Sequence, residues 1–329
     1  CIGGSDSEFV AQAVIDMFHE TESKAFHWLA DLCTVYVAVC SLGIESHSQS
    51  EVEKRISEID IFLDTDVVLS FLSPGEANHD AVARVVSCWK MAAGNVFVAP
   101  PVLEEAAYHA SIADEDYREN WRKLEEMSDA EAQILVQNAF VRGFRAEARG
   151  RYEPGRWKKY IAMFRSKDPY DYSKIEELLE DESVFVVDIG ESQIDSSLRE
   201  GVAAALIDAG SNGAPSEQLE DKASRDGLML AILKRRRKQL KKLGRTAVLV
   251  SSSYRFRRVA RQFEDEIEKP DPVLPVGAAA YLLTLMPGVS MSMGALRGVL
   301  FDVGFRRRLS GLERFALRAI HSSQEYLLP

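Results

Sequence analysis

Residues 61–72, IFLDTDVVLSFL, set two carboxylates, Asp64 and Asp66, between one apolar run and the next. Ile61, Phe62 and Leu63 read as a buried strand, because the run is short, apolar and β-prone. In open α/β sheets, ligands bind just beyond the carboxyl ends of strands, where Asp64 and Asp66 would lie. Like charges repel, so a carboxylate pair facing one spot needs a reason, and a divalent cation supplies it. The plainer reading makes Asp64 the cap of the following helix, with Asp66 in its first turn. Further acids recur in comparable places. Glu104 and Glu105 come one turn into a helix after a second strand, and Asp221 and Asp226 lie on or before the helix that precedes a fourth. A single acid near a helix start is ordinary. The joint placement of Asp64, Glu105 and Asp226 near consecutive strand and helix ends is less easily explained that way. Three or four carboxylates together suit a hard divalent cation with oxygen ligands, Mg²⁺ or Mn²⁺.

Opposite charge is concentrated elsewhere. Between Lys234 and Arg261 the chain has twelve basic residues and no acidic one, although its net charge is −11. One or two cations at a helix C-terminus would satisfy the helix dipole, and a solvated face is the ordinary role of the rest. The functional reading is contact with a phosphate backbone, through Arg235, Arg236, Arg237 and Lys238 before the fourth strand and Arg255, Arg257 and Arg258 after it. Arg306, Arg307 and Arg308 could extend the patch. The six histidines are scattered without metal-ligand spacing. His109 follows Glu105 by one helical turn, on what reads as a surface.

Strands and helices must alternate to position these groups. Strand patterns end at Asp64 and cover 95–99, 184–189, 246–250 and 273–276. Helical patterns cover 50–59, 66–72, 77–92, the VLEEAAYHA stretch, 196–209, 216–240, 254–266 and 277–286. Pro100-Pro101 opens the VLEEAAYHA helix. The expected fold is therefore α/β, a three-layer parallel sheet flanked by helices. Residues 8–18 and 25–42 read as N-terminal helices and 290–329 as a helical tail.

These motifs in this order resemble the PIN-domain nucleases. The first motif of that family, an apolar strand ending Asp-Thr-Asn, is here Asp64-Thr65-Asp66. Its second acid is matched by Glu105 in PPVLEEA, with Glu104 the weaker choice. Its third, an Asp opening an apolar helix, is matched by Asp226 in SRDGLMLAIL. Larger members carry a further Asp upstream, which Asp221 fits. The last motif, strand then Thr-Asn-Asp, is here AVLV followed by Ser251-Ser252-Ser253. Ser251 can replace the Thr hydroxyl, whereas Ser253 stands where the family has an acid. The resemblance covers residues 60–286, with 1–59 as a helical N-terminal segment, 107–182 as a helical insertion and 287–329 as a helical C-terminal tail. It implies a Mg²⁺- or Mn²⁺-dependent endoribonuclease. Asp64, Glu105, Asp221 and Asp226 would be catalytic and metal-binding, with Asp66 an added ligand. Thr65, Ser251 and Ser253 would be auxiliary, and RNA would be favoured over DNA as partner.

Two rival readings remain. Asp64-Thr65-Asp66-Val67-Val68-Leu69 also fits the opening motif of haloacid-dehalogenase-like phosphatases, with Asp64 as nucleophile and Asp66 as acid/base. The later paired acids of that family are not matched. Ser253 keeps open a catalytically weakened PIN-like scaffold that binds RNA or protein. Composition bounds the rest. With 329 residues, 46% hydrophobic and 28% charged, the chain is an ordinary globular one with a substantial core. Its acidic balance excludes a wholly basic nucleic-acid-coating protein. Four sparse cysteines without CxxC spacing point to a reduced, cytoplasmic protein. No apolar run reaches membrane-span length. The helical extensions could serve a homo-oligomer or a protein partner.

Overall fold

The computed structural model describes residues 54, 56–76, 78–128, 131–132, 135–187, 194–210, 217–267 and 271–283. The helices expected over 8–18, 25–42 and 290–329, and the Arg306–Arg308 cluster, lie outside these residues. In chain order come β1 (Ile59–Leu63), α1 (Thr65–Leu72), α2 (His79–Met91), β2 (Val96–Val98), α3 (Pro100–Asn120), α4 (Ala139–Ala148), α5 (Pro154–Ile161), α6 (Ser173–Asp181) and β3 (Phe185–Val186). Then follow α7 (Ser196–Gly210), α8 (Glu217–Lys241), β4 (Thr246–Val250), α9 (Tyr254–Ala260), a 3₁₀ turn, α10 (Glu264–Ile267), β5 (Val273–Leu274) and α11 (Val276–Leu283).

The strands form one sheet in the order β3-β2-β1-β4-β5, and every neighbouring pair is parallel. Every residue of β1 is buried, as a strand covered on both faces by helices must be. The usual right-handedness of parallel crossovers puts α1 to α6 on one face, as the chain steps outward from β1 to β2 and β3. The chain then returns past β2 and β1 to β4 through α7 and α8 on the other face. β1 and β4 are therefore neighbours whose continuations leave in opposite directions. Where continuations part in this way, open α/β sheets leave a crevice outside the carboxyl ends of the strands, the usual ligand position.

The described residues of 107–182 are mostly helical, and they share the apolar core of the sheet. Tyr117 of α3 stacks on Trp157 of α5 with ring centroids 4.5 Å apart. Phe144 of α4 meets both rings edge-on. α4 also packs on α1, and α6 on β3. The segment thus holds the outer strand pair in place. No helix among the described residues is long and apolar enough to cross a membrane.

β1 begins earlier than the apolar run suggests, and its second residue is a charged one. Asp60 is wholly buried. Arg236 of α8 reaches Asp60 Oδ2 through Nη2 at 2.8 Å and Nε at 3.1 Å, and Arg245, just before β4, donates to Oδ1. Asn95, ahead of β2, donates to Oδ1 at 2.8 Å. The Arg236 guanidinium also lies over the Phe97 ring at 4.8 Å. A buried carboxylate without partners would be strongly destabilising, and here it has two cations and an amide. Removing both arginines, as Arg236→Ala with Arg245→Ala, strands that charge. It should lower the free energy of unfolding by about 3–5 kcal/mol in denaturant titration. Adding Asp60→Asn to the double variant should restore part of the loss. A double variant within about 0.5 kcal/mol of the parent chain would contradict this role of Asp60.

Candidate acidic site at the sheet switch point

Three of the acids read from the sequence are brought together at the crevice between β1 and β4. Asp64 directly follows β1 and is 8% exposed. It caps α1, accepting from the Thr65 backbone N–H at 2.8 Å, and its other oxygen accepts from the Ser251 hydroxyl just past β4. The plainer reading of Asp64, as the cap of the following helix, is thus what this side chain does. Glu105, one turn into α3, accepts from the Thr65 hydroxyl at 2.8 Å and faces Arg225 of α8 at 3.7 Å. Glu104 beside it is exposed. Asp226 comes from α8 on the opposite face of the sheet and is also 8% exposed. Gly227 lets α8 sit this deep, because a Cβ there would come within 2.4 Å of the Arg199 carbonyl oxygen of α7. Asp66 borders the same space, its Oδ2 accepting from the Ser252 backbone N–H at 2.9 Å.

The electrostatics follow from this crowding. Burial raises the Asp226 carboxyl well above the usual carboxylate range, and the negative charges of Asp64, Glu105 and Asp66 raise it further. Asp64 is also raised, first by burial and then by Glu105, although the Ser251 and Thr65 hydrogen bonds oppose the shift. Lys222, one turn before Asp226 on α8, lowers both. His109 is largely withdrawn from solvent and its pKa is lowered, chiefly by burial and against the pull of Glu105. It is therefore a pocket-side residue rather than a surface one.

The donor set is all carboxylate oxygen, which fits a hard divalent cation. The side chains are nonetheless not drawn into one coordination shell. Among the described residues, no group of three or more His, Cys, Asp or Glu is arranged to hold a metal ion. Asp64 and Glu105 spend their oxygens on local donors instead.

Other expected site residues fall elsewhere. Asp221 is exposed, and its five-residue offset from Asp226 turns it about 140° around α8. Lys222, not Asp221, shares the face of Asp226. Ser253 caps α9, accepting from the Phe256 backbone N–H at 3.3 Å, and its own N–H donates to Ser251 Oγ at 3.0 Å. It has a structural use in place of the absent acid. The Lys234–Lys238 part of the basic stretch does not adjoin the pocket as expected. Arg236 binds Asp60, and Arg237 is buried, donating to the Ala247 carbonyl at 2.7 Å. Asp60 and Ala247 mark the amino ends of β1 and β4, whereas Asp64 and Ser251 lie past the carboxyl ends. Ten residues of α8 between Asp226 and Arg236 span about 15 Å. Lys234 pairs with Asp195 at 2.7 Å and Arg257 faces Asp271 at 3.6 Å. Arg255 lies against Gly210 of α7. Arg235 is half-buried, while Lys238 and Arg258 are exposed. The cations of the pocket are Lys222 and Arg225, and the sequence signal for them was their place four residues and one residue before Asp226.

No family model, curated protein or solved structure matches this chain.

The raised acids have a consequence for stability. A carboxyl whose folded pKa lies above its unfolded one binds more protons in the folded chain. Stability from that group is then present in acid and is lost as pH rises from the unfolded value, near 3.8, through the folded one. Asp226→Asn removes this loss. The variant should melt at a higher temperature than the parent at neutral pH without divalent ions, and the difference should close as pH falls below about 4. An equal or lower melting temperature at neutral pH would contradict the crowding described.

Proposed function

We propose that this chain is a Mg²⁺- or Mn²⁺-dependent phosphodiesterase, and specifically an endoribonuclease of the PIN-like kind. The observation that carries the reading is the meeting of Asp64, Glu105 and Asp226, from three separate strand–helix units, at the topological switch point. Acids so far apart in sequence, buried together at a cost in mutual repulsion, suit cation binding better than they suit stability. A bound Mg²⁺ or Mn²⁺ supplies Lewis-acid activation of a phosphate and of an attacking water. Asp64, Glu105 and Asp226 would hold it, with Asp66 at the border. Ser251 keeps Asp64 oriented by its hydroxyl, and Thr65 does the same for Glu105. Lys222 and Arg225 offset the repulsion an incoming phosphate would meet.

A second reading, the catalytically weakened PIN-like scaffold, draws support from Ser253, which serves as a helix cap where the resemblance expects an acid. The phosphatase reading draws less. Its nucleophile, Asp64, is buried with both oxygens already accepting hydrogen bonds, and it gives Asp226 no role.

A labelled RNA incubated with the chain over a titration of Mg²⁺ and Mn²⁺ should be cut internally. Asp64→Asn, nearly isosteric but without the ligand charge, should abolish cutting while leaving the circular-dichroism melt intact. Cleavage that persists in that variant, or in excess chelator, would contradict the mechanism. Turnover of a small phosphate ester with an acid-stable aspartyl-phosphate on Asp64 would favour the phosphatase. Neither activity, with RNA still bound, would favour the scaffold.

A further inference from the structure

One stripe of α3 leaves the pocket for solvent. Glu105, Tyr108, His109 and Ile112 follow one another at helical spacing and share a face. Glu105 lies in the acidic site and His109 beside it, but Tyr108 and Ile112 are 39% and 40% exposed. Tyr108 is stacked on Tyr170, which precedes α6, with centroids 5.6 Å apart and planes 11° from parallel. Tyr170 is itself 55% exposed. The other stacked pair among the described residues, Tyr117 with Trp157, is buried in the core. An exposed aromatic pair beside a charged pocket gains little for stability and presents π-surface to solvent.

Cations border the same mouth. α3 and α8 touch, and Arg225 of α8 faces Glu105 at 3.7 Å. Lys222 lies one turn earlier on α8 and is exposed. Its charge reaches Asp64, Asp226 and His109, the neighbour of Tyr108. Flat aromatic surface next to cations is the combination that holds a base and its phosphate.

We propose that the Tyr108–Tyr170 stack, with Lys222 and Arg225, forms a nucleotide-binding site at the mouth of the acidic pocket. The rings take the base of one nucleotide by stacking, and the cations take a neighbouring phosphate. Base identity is then read weakly, since every base offers a π-face. An unpaired base is required, because a duplex hides its faces within its own stack. The proposal rests on the phosphodiesterase reading of the pocket, yet it concerns binding and can be tested without turnover.

The test is fluorescence anisotropy of a labelled oligouridylate titrated with the full chain in excess chelator, over a series of salt concentrations. Tyr108 and Tyr170 are exposed, so Tyr170→Ala and Tyr108→Ala are expected to fold, and their melts are recorded alongside. Each should weaken binding about 5- to 100-fold, the range of one lost base stack, with the salt slope unchanged. Lys222→Gln should weaken binding less at high salt than at low, and flatten the slope by about 0.7, one single-strand phosphate contact. Tyr170→Phe should bind as the parent does, since stacking and not the hydroxyl is used. Parental affinity in both alanine variants would overturn the proposal, as would an oligouridylate that does not bind the parent chain. Tyrosine-dependent binding without cleavage in Mg²⁺ or Mn²⁺ would refute the nuclease reading and uphold this site.

Discussion

A charge buried at the start of the central strand organises this fold. Asp60 has no access to water, and its carboxylate is tolerable only where Arg236, Arg245 and Asn95 meet it. Those partners come from α8, from the turn ahead of β4 and from the turn ahead of β2. One carboxylate therefore sets the register of a long helix against three adjacent strands. The same helix carries Asp226 about three turns earlier, at the far end of the sheet. Arg236 in its place on Asp60 holds Asp226 at the switch point. An apolar contact could bury as much surface, but it would let the helix slide. The directional charge pair does not.

The acidic pocket is the opposite electrostatic case. Asp60 is buried and compensated, whereas Asp64 and Asp226 are buried among like charges and pay for it in raised pKa values. Lys222, one turn earlier on α8, relieves part of that. Hydrogen bonds from Ser251, Thr65 and the Ser252 amide hold three of the acids in place without neutralising them. A fold that spends donors on orienting carboxylates, and not on cancelling their charge, is suited to a cationic ligand.

Much of this was legible in the sequence. Short apolar runs located the five strands, because a parallel strand buried on both faces needs no polar alternation. The strand-ending Asp64, the PPVLEEA turn and Asp226 of SRDGLMLAIL named acids that the fold brings within electrostatic reach of one another. Asp60 was not legible, because a lone acid ahead of an apolar run reads as a strand boundary. Its cations lie nearly two hundred residues away in sequence. The basic stretch misled for a related reason. Consecutive arginines look like one patch in a string, but a helix turns each about 100° from the last. Arg236 thus faces Asp60 while Arg237 faces the Ala247 carbonyl. Lys222 and Arg225 were overlooked because each is single and flanked by acids. Their role appears only when α3 and α8 are brought together.

The central claim is that Asp64, Glu105 and Asp226 form one cation site at the crevice between β1 and β4. Crystals of the chain grown with Mn²⁺, measured at the manganese absorption edge, test it most directly. The account predicts an anomalous peak between the three carboxylates, with Asp64 and Glu105 turned from their local donors toward it and the peak lost in Asp226→Asn crystals. Diffraction that places no manganese there at millimolar concentration, with the three acids still facing one another, would contradict it.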